Sequence, residues 1–473
     1  MLVERGSLKA LTTVNRKGGP CGRPKKLKLL FYNRNNSFNM ISNKQTYLRL
    51  HILLLMLLLT TIGAKAQTPD SLATYIAAAI RNNPTVISGY NAYKAQVMNA
   101  CGAGSLNDPT IQVGVFPKSM QHVNGKQIAT FTIMQMFPWF GTLKAGRENM
   151  EYKAESAYQK FRADGIALAY DVQKQWYAML ATQEKIKAVK GKIGLLEDIK
   201  KLALLTYKTQ DRMRNAKMSD QLRLEAEEQN LQEQVESFEA KLALQRQQFN
   251  IVMHRDADAP LVVPDTIVLR EMPTVSWNDI EAQDPLLQKS VADGKAFEAQ
   301  ERLATNMGKP TFSVGLQYML NGKVMNPKME SMNGMDMVMP MVTVSVPIYR
   351  RKINMSKEAA KFNKISTDYT YQSREDALKS EYLGIEQRAE DVKRKVALYD
   401  KEVGILDHTL SLMNTEYATG STTLTDILET NRQYIDYALK KAEAYADYNT
   451  IVAEYEKMAS RYDYATRAEN PRK

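Results

Sequence analysis

Two segments near the middle of the chain alternate between apolar and polar side chains. Residues 310–320 and residues 339–347 both follow this pattern, and a methionine-rich stretch connects them. An alternation with period two is typical of a β-strand whose two faces lie in different environments. The apolar positions are Phe312, Val314, Leu316, Tyr318 and Leu320 in the first segment and Val342, Val344 and Val346 in the second. We therefore predict a β-hairpin, which Pro347 ends because proline has no N–H to donate to the ladder.

A similar pair of alternating segments lies earlier in the chain, at about residues 109–117 and 126–138. Its apolar positions are Ile111, Val113, Val115, Phe131, Ile133 and Phe137. Pro138 ends this pair in the same way as Pro347 ends the later one. The chain is thus predicted to contain two hairpins, with four strands in total.

The two halves of the chain share landmarks at one constant spacing. An Asn-Pro pair ending at Pro84 and an Asp-Pro pair ending at Pro285 are 201 residues apart, and so are Pro109 and Pro310. A common spacing at independent landmarks indicates an internal duplication. We assign residues 67–259 to the first repeat, 260–277 to a linker, 278–462 to the second repeat and 463–473 to a C-terminal tail.

Each hairpin is followed by a long stretch with helical periodicity. Residues 142–209 contain no proline, and Val172, Met179 and Ile186 recur along them at intervals of seven. Such a helix would span about 100 Å at 1.5 Å per residue. Apolar residues at heptad spacing favour packing against neighbouring helices, as in a coiled coil. We predict two long helical hairpins, one in each repeat.

The long helices are expected to turn back at polar segments. These segments are residues 207–220 in the first repeat and 417–426 in the second. In the second, Gly420 is expected to end one helix, and either Ser421 or Thr422 to cap the next. Both turns would form the far tips of the helical hairpins.

The charge of the chain is uneven because of its N-terminal segment. Residues 1–66 carry 12 of the 64 basic side chains and 1 of the 52 acidic ones. Residues 40–66 have the basic start, apolar run and small final residues of a secretory signal peptide, and we interpret residues 1–39 as an over-extended upstream start. The rest of the chain is nearly neutral, which argues against a nucleic acid partner.

Four strands cannot close a barrel in a membrane. Membrane barrels have at least eight strands, and an open sheet edge in lipid would leave backbone groups without partners. If the strands lie in a membrane, the chain must therefore oligomerise. Three copies would supply twelve strands.

These features together resemble the TolC-type outer membrane efflux proteins. The resemblance rests on the signal peptide, the Asn-Pro pair, the duplicated hairpin and helix unit, and the second tip, YATGSTTLTDILET. It implies an α+β membrane protein: a homotrimer with a 12-stranded β-barrel in the outer membrane, continued by a periplasmic α-barrel. Such proteins are passive exit channels of tripartite pumps, and they work with a periplasmic adaptor and an inner-membrane transporter of the RND type. They need no cofactor.

The resemblance also implies roles for residues at the tips. The acidic gate of the family falls on Asp426 and Glu429, although the second position is an aspartate in the type member. Alternatively, these two residues have no gate function and only complement the helix dipole, as acidic residues in a first helical turn do. The tip residues expected to meet the adaptor are Arg212, Arg214, Gly420, Ser421 and Thr422.

Methionines are concentrated around the second hairpin. Thioethers are soft ligands that select Cu(I) and, by the same softness, Ag(I), and the feature resembles the heavy-metal branch of the family. The candidates for weak metal binding are Met134, Met136, Met319, Met325, Met329, Met332, Met335, Met337, Met339 and Met341. If the strand register continued upward, Met335 would share a face with Met337, although Pro340 predicts an irregular strand there. Alternatively, methionine is a flexible apolar filler.

Three functional alternatives follow. The first is an exit channel for heavy-metal cations, and the second is a general drug or type I secretion channel of the same fold. The third is a periplasmic coiled-coil adaptor without a pore, although adaptors lack duplicated hairpins. The sequence contains no nucleophile motif, glycine-rich phosphate loop or paired histidine spacing that would predict an enzyme.

Overall fold

The computed structural model describes residues 72–461, apart from residues 119, 209–217, 326, 328 and 420. The predicted signal peptide, the tip residues Arg212, Arg214 and Gly420, and the C-terminal tail lie outside the described residues. The chain divides into two units, Met1–Thr74 and Tyr75–Lys473. Only residues 72–74 of the first unit are described, so the fold below is that of the second unit.

The first half of the chain contains two short helices, a hairpin and two long helices. They are α1 (Leu72–Asn82), α2 (Pro84–Ala103), β1 (Thr110–Val115), β2 (Gln121–His122), β3 (Gly125–Phe137), α3 (Thr142–Lys208) and α4 (Met218–Val252). β2 is a short strand that pairs with the start of β3. β3 ends immediately before Pro138, as predicted.

The second half repeats this order of elements. It contains α5 (Trp277–Gln283), α6 (Pro285–Met307), β4 (Thr311–Gly322), a 3-10 turn (Glu330–Met332), β5 (Met337–Ser345), α7 (Arg350–Thr419) and α8 (Leu424–Met458). α3 and α7 are 67 and 70 residues long. The predicted order of short helices, hairpin and long helical hairpin is therefore present twice.

The paired prolines begin a helix in each repeat. Asn83 caps α2 by accepting a hydrogen bond from the Thr85 N–H, and Asp284 caps α6 by accepting one from the Leu287 N–H. The following proline occupies a first-turn position, where its missing N–H leaves no intrahelical bond unmade. The same local chemistry thus breaks the chain into two helices at the corresponding point of both repeats.

The helices pack mainly around α3. This helix contacts α2, α4, α6 and α8, while α7 packs against α6 and α8. Val172 and Met179 of the heptad stripe are completely buried, and Ile186 is 8% exposed. The coiled-coil spacing read from the sequence therefore marks the core between the long helices.

An extended segment between α4 and α5 is fixed to the helices by Arg270. Its guanidinium donates to Glu456 at 2.6 Å and to Gln173 at 3.0 Å, and its backbone N–H donates to Asn449 Oδ1 at 2.9 Å. The Asn449 side chain in turn donates to the Val268 carbonyl. These bonds hold the segment between the repeats against α3 and α8.

The strands form one antiparallel sheet in the order β1-β3-β4-β5. The pair β3 and β4 joins the two hairpins side by side, with one irregularity between Gln127 and Ala129. The expectation of an irregular strand at Pro340 is wrong: β5 is continuous there, and Pro340 lies opposite Leu316. Within the described chain β5 pairs only with β4, and an edge strand tolerates proline because its missing N–H can face away from the ladder.

Within the part of the chain that is described, no helix is both long enough and apolar enough to cross a membrane.

Candidate functional site: the two sheet faces and the helical tips

One face of the sheet is apolar across all four long strands. Directly opposed residues lie on the same face, and the register aligns Ile111 with Ile133 and Leu316. The set is Ile111, Val113, Val115, Phe131, Ile133, Phe137, Phe312, Val314, Leu316, Tyr318, Val338, Val342 and Val344. Ile111 is 70% exposed and Val342 is 73% exposed. Gln135, opposite Val314, is a polar exception on this face. An exposed surface that is otherwise apolar requires an apolar environment or partner.

The opposite face combines small polar residues with methionine. Its members are Thr110, Gln112, Gly114, Thr130, Thr132, Met134, Met136, Ser313, Gly315, Gln317, Met319, Met337, Met339, Met341, Thr343 and Ser345. Met337, Met339 and Met341 thus share a face with Met319 and with Met134 and Met136 of β3. The alternation in the sequence predicted this arrangement.

Two of these methionines lie directly opposite each other. Met319 on β4 is the register partner of Met337 on β5, and Met339 is opposite Gln317. Cβ atoms of directly opposed residues are about 4.5–5.5 Å apart. Two flexible thioethers at this separation can bring both sulfur atoms to one soft cation.

A second methionine row crosses three strands. Met134 on β3, Gly315 on β4 and Met341 on β5 are aligned by the register. A Cβ atom at Gly315 would lie 2.6 Å from Met134 Cγ and 2.7 Å from the Ile133 carbonyl oxygen. Gly315 therefore leaves the space over β4 that the Met134 side chain occupies. Met136 is opposite Ser313, one row nearer the helices.

The remaining methionines lie in the connection between β4 and β5. Met325, Met329, Met332 and Met335 are all exposed. The expectation that Met335 continues the strand face is wrong: β5 begins only at Met337, and the Met335 N–H donates to the Met332 carbonyl. Among the described residues, no three His, Cys, Asp or Glu side chains are grouped in a way that could hold a metal ion.

Hydrogen bonds that the sequence did not indicate give this connection its shape. Asn333 exchanges two bonds of 2.9 Å with the backbone of Val324. Gly334 donates its N–H to the Asn124 carbonyl in the first hairpin. Asp336 accepts bonds from the Asn321 N–H and the Tyr318 hydroxyl. The methionines of the connection are therefore presented on a folded loop that touches both hairpins.

The turn at the second helical tip is shorter than the predicted residues 417–426. α7 continues to Thr419, and α8 begins at Leu424 with Thr423 as its cap, so the prediction of Ser421 or Thr422 is wrong. Thr423 directly precedes the helix, and its hydroxyl accepts from the Asp426 N–H. Ser421 instead donates its N–H to the Glu416 carbonyl and closes α7.

Both predicted gate residues are exposed on the first two turns of α8. The Asp426 carboxylate accepts a 2.6 Å hydrogen bond from the Thr423 hydroxyl, so it also supports the start of the helix. Glu429 lies one turn further along the same face. Asp426 and Glu429 thus place two carboxylates side by side near the tip.

An ion pair next to these carboxylates was not visible in the sequence. Arg432 on α8 forms three hydrogen bonds of 2.6–3.1 Å with Glu227 on α4, whose side chain is 4% exposed. Its bond to Glu227 raises the pKa of Arg432, and Glu429 adds to this effect. The partners are 205 residues apart in sequence. The pair ties the returning helices of the two repeats together beside the tip.

The duplicated hairpins, the single sheet and the long helical hairpins together define the fold of TolC-type outer membrane channels. The crystal structure of VceC from Vibrio cholerae has a TM-score of 0.66 at 11% identity, over 82% of this chain and 96% of that one. The CmeC channel of Campylobacter jejuni has a TM-score of 0.66 at 12% identity, over 85% of this chain and 89% of CmeC. The structure of CusC, which describes conformational changes that accompany folding and channel formation, has a TM-score of 0.67 at 11% identity. The match covers 82% of this chain and 91% of CusC.

These similarities confirm the predicted resemblance for the fold. No protein-family model and no curated protein sequence matches the chain. CmeC is described as an outer membrane channel, and CusC is described with its transmembrane channel formation. At this low identity the shared property is the architecture, and substrate and partners have to be argued from the residues themselves.

Proposed function

We propose that the chain is one protomer of a homotrimeric exit channel of the bacterial outer membrane. The observation that carries this proposal is the sheet, whose four long strands have one exposed apolar face and one polar face. Burying one large apolar side chain contributes about 1.5–3 kcal/mol, so an apolar face of this size is strongly favoured in lipid. The polar face would then line the lumen.

The sheet edges support the trimer. Within the described residues, β1 pairs only with β3, and β5 pairs only with β4. Unpaired edges are not tolerated in lipid, and joining β5 of one copy to β1 of the next would close a 12-stranded barrel from three copies. The helical hairpins would continue this barrel into the periplasm, where their tips meet an adaptor that connects to an inner-membrane RND-type transporter.

Fractionation and electrophysiology test this proposal. The protein is expected in the outer membrane as an oligomer that dissociates to monomers on heating, and to form conducting pores in planar bilayers. A soluble monomer without conductance would contradict it and favour the periplasmic adaptor alternative.

Asp426 and Glu429 would form the gate of this channel. Three copies would place six carboxylates around the periplasmic opening, and an acidic ring favours cations over anions. We expect the double variant Asp426→Asn/Glu429→Gln to lower the cation-to-anion permeability ratio in planar bilayers. The matched control is Glu225→Gln/Glu233→Gln, which removes two exposed carboxylates from α4. Equal ratios in the wild type and the gate variant would contradict the gate.

We further propose that the transported substrates are soft metal cations such as Cu(I) and Ag(I). The opposed pair Met319 and Met337, together with the row from Met134 to Met341, supplies thioethers along the polar face. Soft ligands select these cations over hard ones, and weak sites in series permit passage. A general drug or secretion channel would use the same fold without needing these thioethers.

Metal sensitivity of a deletion strain tests the substrate. We expect the strain to be sensitive to copper and silver, and to be rescued by the wild type but not by Met319→Leu/Met337→Leu at equal oligomer levels. The control Met307→Leu/Met355→Leu removes two exposed methionines from the helices and should rescue. Full rescue by a variant that combines these two changes with leucine at the six other methionines from Met325 to Met341 would show that the thioethers are filler. Sensitivity only to drugs or bile salts would favour general efflux.

A further inference from the structure

An apolar cavity lies where the sheet meets the helices. It has a volume of about 590 Å³ and is lined mainly by Leu106, Phe137, Trp139, Phe140, Leu143 and Phe312. This volume is within the ~300–1,000 Å³ typical of small-molecule sites. We call it the rim cavity. It lies between the end of β3 and the first turn of α3.

The rim cavity is continuous with the apolar face of the sheet. Phe137 and Phe312 are register partners on that face, and Val344 follows on β5. Phe140 is 84% exposed. The cavity is therefore an indentation at the helical end of the surface that the proposed function assigns to lipid.

A lysine lies at the edge of this cavity. Lys309 Nζ is 5.6 Å from the centroid of the Trp139 ring. Trp139 itself packs on Phe312, with ring centroids 6.0 Å apart, and on Phe140 at 6.1 Å. The first turn of α3 contains no acidic residue. Among the described residues, Lys309 forms no ion pair with a carboxylate. An apolar cavity beside such a positive charge has the chemistry of a site for an amphiphilic anion.

We propose that the rim cavity binds one phospholipid per chain, with an acyl chain among its aromatic side chains and the phosphate on Lys309. This inference rests on the proposed function, because it places the helical end of the sheet at the periplasmic surface of the outer membrane. Tryptophan is enriched at such interfaces. A lysine whose stem covers apolar surface while its ammonium reaches the headgroups is the usual arrangement there, and charge-assisted bonds to phosphate are strong.

The position of the cavity favours a lipid over a second copy of the chain. Phe137 and Phe312 belong to β3 and β4, the two central strands of the sheet. Neighbouring copies would instead meet at the outer strands β1 and β5. The rim cavity therefore faces outward from the middle of each protomer, where the surrounding material is the bilayer.

Fluorescence quenching tests the site because Trp139 lines it. The chain has three tryptophans, and Trp176→Phe/Trp277→Phe leaves Trp139 as the only one, which can be excited selectively over tyrosine. In detergent micelles, titration with a phosphatidylglycerol carrying brominated acyl chains should quench Trp139 in a saturable manner, with about one lipid per chain. We expect Lys309→Gln to raise the half-saturating lipid concentration about tenfold.

Controls separate the phosphate from the acyl chain. Lys401→Gln removes an exposed cation from α7, about 50 residues beyond the helix start that adjoins the sheet, and should leave the titration unchanged. Leu106→Glu places a carboxylate in the cavity and should abolish saturable quenching, provided that the oligomer remains intact. Brominated diacylglycerol, which lacks the phosphate, should bind the wild type no better than the phospholipid binds Lys309→Gln.

The outcomes distinguish this site from the proposed function. Linear quenching without saturation, or identical titrations for wild type and Lys309→Gln, would overturn the phospholipid site. In proteoliposomes made of the brominated lipid, Trp139 should be quenched even without a specific site. Absence of quenching there would overturn the membrane position of the sheet itself.

Discussion

At the scale of single residues, the pair Glu227 and Arg432 is predicted to stabilise the tip. The Glu227 side chain is 4% exposed and that of Arg432 is 66% exposed. Removing one partner of a buried ion pair costs about 3–5 kcal/mol, and the exposure of Arg432 lowers this to roughly 2–3 kcal/mol for Arg432→Gln. Urea unfolding followed by helical circular dichroism measures it. The double variant Glu227→Gln/Arg432→Gln should recover most of the loss, and a single variant as stable as the wild type would contradict the assignment.

A second residue, Tyr445, links stability to alkaline pH. Burial and hydrogen bonds of 2.9 and 3.1 Å to Asp400 raise the pKa of Tyr445 to about 12. The unfolded chain has a tyrosine pKa of about 10, so the folded state favours the protonated form. This contribution is complete below pH 10 and is lost as the pH rises through 12. The stability difference between the wild type and Tyr445→Phe should therefore shrink between pH 10 and 12, and a constant difference would contradict this linkage.

At the scale of elements, the start of α8 depends on one hydroxyl. Thr423→Ala removes the acceptor for the Asp426 N–H and the donor to its carboxylate, and loss of a cap costs about 1 kcal/mol. We expect faster hydrogen exchange at the first amides of α8. Thr422→Ala is the matched control, because the Thr422 hydroxyl makes only a long 3.4 Å bond to Glu416. Equal exchange in both variants would show that the helix start does not depend on Thr423.

The same element shows how far a sequence can predict local structure. Proline positions and the period of two were enough to place the ends of β3 and the faces of all four long strands. The predicted cap of α8 was wrong because Ser421, Thr422 and Thr423 all carry hydroxyls that can cap a helix. Which of them does so depends on the residue at which the helix begins. The prediction that Met335 continues the strand face was wrong because the folded loop, which Asn333 fixes, determines where β5 starts.

Contacts between distant parts of the chain were beyond prediction from the sequence. The bonds between Glu227 and Arg432, and those of Arg270 with Gln173 and Glu456, join residues that no local pattern relates. The rim cavity likewise depends on how a strand end and a helix start meet. The duplicated architecture was predictable because each repeat has its own prolines, which end strands and begin helices. The contacts between the repeats, in contrast, form only when the helices pack.

At the scale of the whole molecule, adjacent residues on β1 test which face of the sheet meets lipid. Val113 is 59% exposed on the apolar face, and Gln112 lies on the opposite face. A lysine on the lipid face of a membrane barrel costs about 2–4 kcal/mol at mid-bilayer, and three copies multiply this cost. Val113→Lys should therefore greatly reduce the heat-dissociable oligomer in outer membranes, whereas Gln112→Lys, with its ammonium in an aqueous lumen, should assemble normally. If both variants assembled equally well, the sheet would not have one face in lipid, because a lysine at Val113 would then have met no apolar surroundings.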